Sequence, residues 1–303
     1  MVLRMRKYVF PRRFPEIVYF LIILIFPAIV GMYDILIVLP NVHAHGEFMY
    51  NFIFILAIFI YANIHGNMFA VMMVDTSIKA IDLNSKATTH DYRSRGFHFC
   101  RKCLSVKPPR SFHCQVCNKC ILKYSHHCVF TGCCIGHYNV RHYFIFLVYL
   151  FIGSVLSLGY LSYFMFWVCA ETFRHRLIFF KFLNPFWYTT HKNLWNYITV
   201  LFFDMNVVAL VITSILLIHY GVPIFKASTA FERRVNYPFR KGLTANLRSV
   251  FGKRYILVWF SAFLDSDLTL DGANWDVEEE AVPLQRQSRQ RYRKHRRRRG
   301  RYT

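Results

Sequence analysis

Acidic residues are scarce in this sequence: 16 Asp and Glu stand against 38 Lys and Arg over 303 residues, a formal net charge of +22. That imbalance does not mark a nucleic-acid binder. Ten of the cations fall in one run, Arg286–Arg301, which no acid interrupts, and nothing in the apolar blocks supports such a partner. Cysteine is nearly absent outside one window, since eight of nine lie between Cys100 and Cys134. Inside it, Cys100/Cys103 and Cys114/Cys117 have the spacing of metal ligands, with histidines among them, which disfavours a secreted disulfide framework. No small-residue cleavage site follows the basic start Met1–Arg13, so a cleaved leader is not expected. No internal repeat is evident.

Apolar residues are abundant, 55% of the chain, and they come in four blocks at 16–39, 48–74, 143–169 and 197–220. A membrane helix needs about 20 mostly apolar residues, because only a helix satisfies its own backbone in lipid. The expected fold is therefore an α-helical integral membrane protein with four spans and the lipid bilayer as its solvent. Pro27 and Gly31 invite a kink in the first block. Asp34 and Asp204 lie within spans and are expected to bond between helices, while Asp75 borders the surface.

Basic residues set the orientation. They crowd residues 1–15 (Arg4, Arg6, Lys7, Arg12, Arg13) and the loop 75–142 (among them Lys79, Arg93, Arg95). None occurs between Pro40 and Glu47, and residues 170–196 carry only Arg174, Arg176, Lys181 and Lys192. Both termini and the cysteine-rich loop are thus expected in the cytosol, with 170–196 lumenal. Residues 221–275 form a cytosolic C-terminal region. Residues 276–303 hold an acidic patch and the polybasic tail, a candidate membrane tether or arginine-based retention signal.

The loop reads Cys100-x2-Cys103, His113-Cys114-x2-Cys117-x2-Cys120, His126-His127-Cys128, Cys134. Tetrahedral zinc takes four such ligands, so two closed sites can form with candidates to spare. So few apolar residues separate the ligands that the segment needs metal to stay folded. Spacing alone neither divides the ligands between two ions nor identifies the spare cysteine.

The run from Cys100 through Lys107-Pro108, Arg110, Ser125-His126-His127-Cys128 and Cys134-Ile135-Gly136-x2-Asn139 to Phe144 resembles the cysteine-rich domain of the DHHC protein S-acyltransferases. Thr229-Ala230-Phe231-Glu232 is similar to that family's Thr-Thr-x-Glu motif, and Gly242-x3-Asn246-x3-Val250-Phe251-Gly252 to its C-terminal motif. The resemblance implies a four-helix membrane palmitoyltransferase with the zinc domain between helices two and three. It implies one zinc on Cys100, Cys103, His113 and Cys120, and a second on Cys114, Cys117, His127 and Cys134. It makes Cys128 the acyl-accepting nucleophile and His126 its base, with Thr229, Glu232 and Asn246 as supporting residues. Acyl-CoA would be the donor, cysteines of membrane-associated proteins the acceptors, and endoplasmic reticulum or Golgi the compartment.

The sequence departs from that pattern beside the nucleophile. Ser125 stands where the family has Asp; it can hydrogen-bond His126 but brings no charge, and an orienting carboxylate can matter about 10⁴-fold in a related triad. Val129-Phe130 replaces the usual Pro-Trp, Cys133 is an extra thiol, and Ala230 loses a hydroxyl. Lys107, Arg110, Lys119 and Lys123 can attract anionic lipid or the phosphates of CoA. His98 and His137 read as surface or packing residues. The competing readings are a catalytically silent, zinc-stabilised membrane scaffold, which Ser125 favours, and a transporter, for which the spans offer few polar residues.

Overall fold

The computed structural model describes residues 5–81, 96–173, 194–226, 228–232 and 242–275. Arg4, Arg93, Arg95, most of the 170–196 loop and the acidic and polybasic segments 276–303 lie outside them.

Four helices are long and apolar enough to cross a membrane: Phe14–Val42, Phe48–Met73, Val140–Val168 and Trp195–Phe225. The first is α1 (Phe14–Tyr33) continued through a wide turn at Asp34–Val38, where Leu39 N–H reaches back to Asp34 O. The others are α2 (Phe48–Met73), α3 (Val140–Tyr163) and α4 (Leu194–Phe225). Outward faces of the bundle are apolar, for example Ile22, Ile29, Ile55 and Ile215. In water these would form a large hydrophobic patch, but lipid is a matched solvent for them. The chain is a multi-pass membrane protein. Helix α3 is central and packs against both α2 and α4.

The cysteine-rich domain sits between the second and third spans as three short antiparallel hairpins. These are β1 (His98–Cys100) with β2 (Ser105–Lys107), β3 (Phe112–Cys114) with β4 (Lys119–Ile121), and β5 (His126–Cys128) with β6 (Cys133–Ile135). Three-residue strands cannot hold themselves together, so other contacts do. Asn139 is one such tie: its Nδ2 donates to Val71 O (3.2 Å) and Cys134 O (3.0 Å), and its Oδ1 accepts from Gly136 N (2.9 Å). It joins the end of α2, the third hairpin and the start of α3. The third hairpin also enters the main core, where Cys128, Cys133 and Ile135 pack with Met68, Val71 and Tyr143.

After the fourth span, α5 (Leu243–Phe251) returns to this core through Val250 and Phe251. The inter-helix bonds expected of the buried acids divide: Asp34 meets the Ser157 hydroxyl of α3, whereas Asp204 Oδ2 finds no hydrogen-bond partner among the described residues.

Candidate active site and metal centres

The hairpins divide the ligands in a way spacing could not. Register pairs His113 with Cys120 across β3 and β4, and His127 with Cys134 across β5 and β6. Each cross-strand pair meets the Cys-x2-Cys turn of the preceding hairpin. The first cluster is Cys100, Cys103, His113 and Cys120; the second is Cys114, Cys117, His127 and Cys134. In the first, the Sγ atoms of Cys100, Cys103 and Cys120 lie 3.7, 3.2 and 3.8 Å from His113 Nδ1. In the second, those of Cys114, Cys117 and Cys134 lie 3.8, 3.4 and 3.6 Å from His127 Nδ1. A zinc tetrahedron with Zn–S near 2.3 Å and Zn–N near 2.0–2.1 Å has edges of roughly 3.6–3.8 Å. The two clusters therefore fit two zinc ions.

A repeat that the sequence reading misses is plain here. Cys100, Cys103, His113 and Cys120 recur 14 positions later as Cys114, Cys117, His127 and Cys134. Backbone conformation recurs too: Leu104, Asn118 and Gly132, at the same 14-residue interval, all have positive φ (49°, 50° and 56°). The third turn is thus a knuckle of the same shape, Cys128-x2-Thr131, with a hydroxyl where the others carry the second thiol. Cys128 occupies a ligand's place in a turn that lacks the ligands to bind metal.

The alternation of a strand places His126 and Cys128 on one face of β5 and His127 on the other. Toward the membrane, the His126 ring stacks on Tyr220 (centroids 4.1 Å apart) and meets the edge of Tyr143 (5.0 Å). Its Nδ1 is 3.2 Å from Ser125 Oγ, so the serine does hold the ring. Its Nε2 is buried without a partner among the described residues. Burial, with His127 and His219 nearby, pushes the His126 pKa down to about 3. Cys128 is buried as well, which raises its thiol pKa, opposed by hydrogen bonds from Thr131 and from the Phe130 backbone. Burial thus favours the uncharged form of both groups. Cys133 is 2% exposed, with Sγ 3.3 Å from Thr131 Oγ1, and its thiol is pushed up to about 12.

Within the bundle lies a cavity of about 300 Å³, lined by apolar residues that include Phe130, Tyr143, Leu147 and Gly153. Tyr143 is shared between the two, lining this cavity and meeting the His126 ring. Its far part carries Asp34 and Ser157.

Residues 93–236 match the DHHC palmitoyltransferase family. That match takes in the whole cysteine-rich domain and reaches past the end of α4. Among its relatives is a Mus musculus protein named probable palmitoyltransferase ZDHHC24, 27% identical over 71% of this chain and 75% of the relative. An Arabidopsis thaliana protein, probable protein S-acyltransferase 13, is 30% identical over 61% of this chain and 58% of its own length. Palmitoyltransferase akr1 of Schizosaccharomyces pombe is 52% identical, over only 16% of this chain and 8% of its own length.

The supporting residues fold onto this DHHC domain. Glu232 accepts from Arg110 Nη2 (2.6 Å) and from Thr229 N (2.9 Å), while Glu232 N donates to Thr229 Oγ1 (3.1 Å). Asn246 Nδ2 donates to Phe225 O (2.9 Å), tying α5 to the end of α4. The basic residues divide differently from the expectation of a lipid- or phosphate-binding face. Arg110 is spent on Glu232, and Lys123 is 3% exposed, its pKa lowered by burial to about 7. A lysine in a basic loop gives no sequence sign of burial. His137 packs inside, with Nε2 2.9 Å from Leu270 O.

Proposed function

We propose that the chain is a protein S-acyltransferase that carries a fatty acyl group on Cys128. The observation behind this reading is the placement of Cys128: beside His126, opposite the metal-facing side of β5, and against the core around the apolar cavity. With Nδ1 donating to Ser125 Oγ, Nε2 of His126 is the ring atom left to take the thiol proton. Cys128 sulfur then attacks the carbonyl of a fatty acyl-CoA. The new S–C bond forms, the bond to CoA sulfur breaks, and the proton returns to the departing thiolate. A cysteine of a membrane-associated protein repeats the exchange and restores Cys128. The cavity takes the acyl chain, each buried methylene contributing about 0.8 kcal/mol.

Zinc, when bound, supplies structural cross-links. Cys100, Cys103, His113 and Cys120 would hold one ion, and Cys114, Cys117, His127 and Cys134 the other. His127 thereby locks the strand that carries His126 and Cys128. Charge distribution in the short loops supports cytosolic termini and a cytosolic DHHC domain. Endoplasmic reticulum or Golgi is the proposed compartment.

The test is metabolic labelling with a clickable palmitate analogue in membranes. Hydroxylamine-sensitive label on the wild type that disappears in Cys128→Ser is the expected result. A wild type that stays unlabelled while Ser125→Asp labels would replace the enzyme reading with that of a silent scaffold.

A further inference from the structure

The first span begins beside a metal cluster. Glu16 sits in the first turn of α1, 8% exposed despite its charge, with Oε1 3.2 Å from Nε2 of His127. The opposite ring nitrogen, Nδ1, faces the three sulfurs of the second cluster. A neutral imidazole carries one N–H. When Nδ1 gives its lone pair to a cation, that hydrogen is on Nε2 and needs an acceptor, which Glu16 provides.

The chain contains its own comparison. His113 holds the equivalent place in the first cluster, with the same composition and spacing. Yet its Nε2 is buried with no hydrogen-bond partner among the described residues. Among the described residues, only the cluster next to Cys128 has a carboxylate behind its histidine. The segment leading to Glu16 is fitted to the same region. Arg13 Nη2 donates to Val116 O (2.8 Å) in the second knuckle, and Arg6 N donates to Met73 O (2.8 Å) at the end of α2. A Cβ placed on Gly132, in the third knuckle, would meet Pro11 at 2.8 Å.

We propose that Glu16 is the positioning residue of the second metal centre. It fixes the tautomer and ring orientation of His127, strengthens its hold on the ion, and through β5 fixes His126 and Cys128 on either side. The inference rests on the zinc assignment above. It makes the start of the first span part of the zinc domain's outer support, 111 residues away in sequence.

Full-length protein in detergent would be assayed for zinc content, then for the rate at which zinc passes to an excess of chelating dye. Wild type is expected to carry two ions. Glu16→Gln keeps the size and an acceptor oxygen but removes the charge; Glu16→Ala removes both. The expected result is release of one ion, faster by about 10–100-fold in Glu16→Ala and by less in Glu16→Gln, with the other ion unaffected. Cys103→Ser leaves only the second cluster intact, and there Glu16→Ala should act on the one remaining ion. In Cys117→Ser, which leaves only the first, it should change nothing. If Glu16→Ala does not fold, the isosteric Glu16→Gln decides. Unchanged release of both ions, or equal acceleration of both, would overturn the role given to Glu16 while leaving the zinc reading intact. A wild-type protein without zinc would overturn the zinc reading and this inference with it.

Discussion

Arg110 and Glu232 form a buried, two-pronged ion pair: Nη2 lies 2.6 Å from Oε2, and Nε reaches Oε1, with side chains only 2% and 5% exposed. The Arg110 guanidinium also lies over the Trp275 ring, 4.3 Å from its centroid. One arginine thus joins the DHHC domain to the segment after the fourth span and to the end of the C-terminal region. Removing one partner of a buried pair strands the other charge, at a cost of about 3–5 kcal/mol. Glu232→Ala is expected to lower the thermal midpoint in detergent strongly, and Glu232→Gln less, since the amide can still accept one bond. Equal, unshifted midpoints for both variants would show that the pair does not hold these segments together.

Cross-strand pairing predicts which substitutions cost which metal. Cys103→Ser and Cys120→Ser should each remove one zinc of two, from the first cluster. Cys117→Ser and Cys134→Ser should remove the other. Cys128→Ser and Cys133→Ser should leave both. Zinc stoichiometry by mass spectrometry of the purified protein reads all six; loss of metal in Cys128→Ser would place that cysteine among the ligands.

Much of this was legible because zinc chemistry is local. Cys-x2-Cys pairs and four apolar blocks survive in one dimension, and with them the fold class and the metal-ligating residue types. The division of ligands was not legible from spacing, because it depends on which strand pairs with which. The 14-residue recurrence could have supplied it, since two ligand sets offset by a constant are most simply two copies of one unit. Glu16 and Lys123 were out of reach for another reason. An acid at the edge of an apolar block reads as interfacial and a lysine among basic neighbours as exposed, and only tertiary packing makes either one buried.

In the proposed mechanism Ser125 tunes the base, His126. Its hydroxyl holds His126 Nδ1 at 3.2 Å, while burial keeps the ring neutral. A carboxylate there would favour the protonated ring and raise its pKa toward the ordinary histidine range. Ser125→Asp should therefore speed acyl-enzyme formation, by one or two orders of magnitude if it recovers part of the roughly 10⁴-fold that such a carboxylate can give. Ser125→Ala should slow it by releasing the ring. Burst kinetics with a fluorescent acyl-CoA would measure both, and identical bursts in all three proteins would mean that residue 125 does not act through His126.

Gly153 sets the bore of the cavity. It lines the cavity wall on α3, and a Cβ built there would come within 3.3 Å of Ile60 Cγ2 and 3.5 Å of Ile64 Cδ1 on α2. Alanine should fit with a small shift of those side chains. Leucine has no room between the helices and must turn its branch into the cavity, shortening the space below Tyr143. Each methylene of acyl chain excluded forfeits about 0.8 kcal/mol, roughly a fourfold loss in preference. Competition between acyl-CoA donors of different length should therefore move toward shorter chains in Gly153→Leu and stay close to wild type in Gly153→Ala. An unchanged length profile in Gly153→Leu, with total label retained, would mean that the acyl chain does not run past this residue.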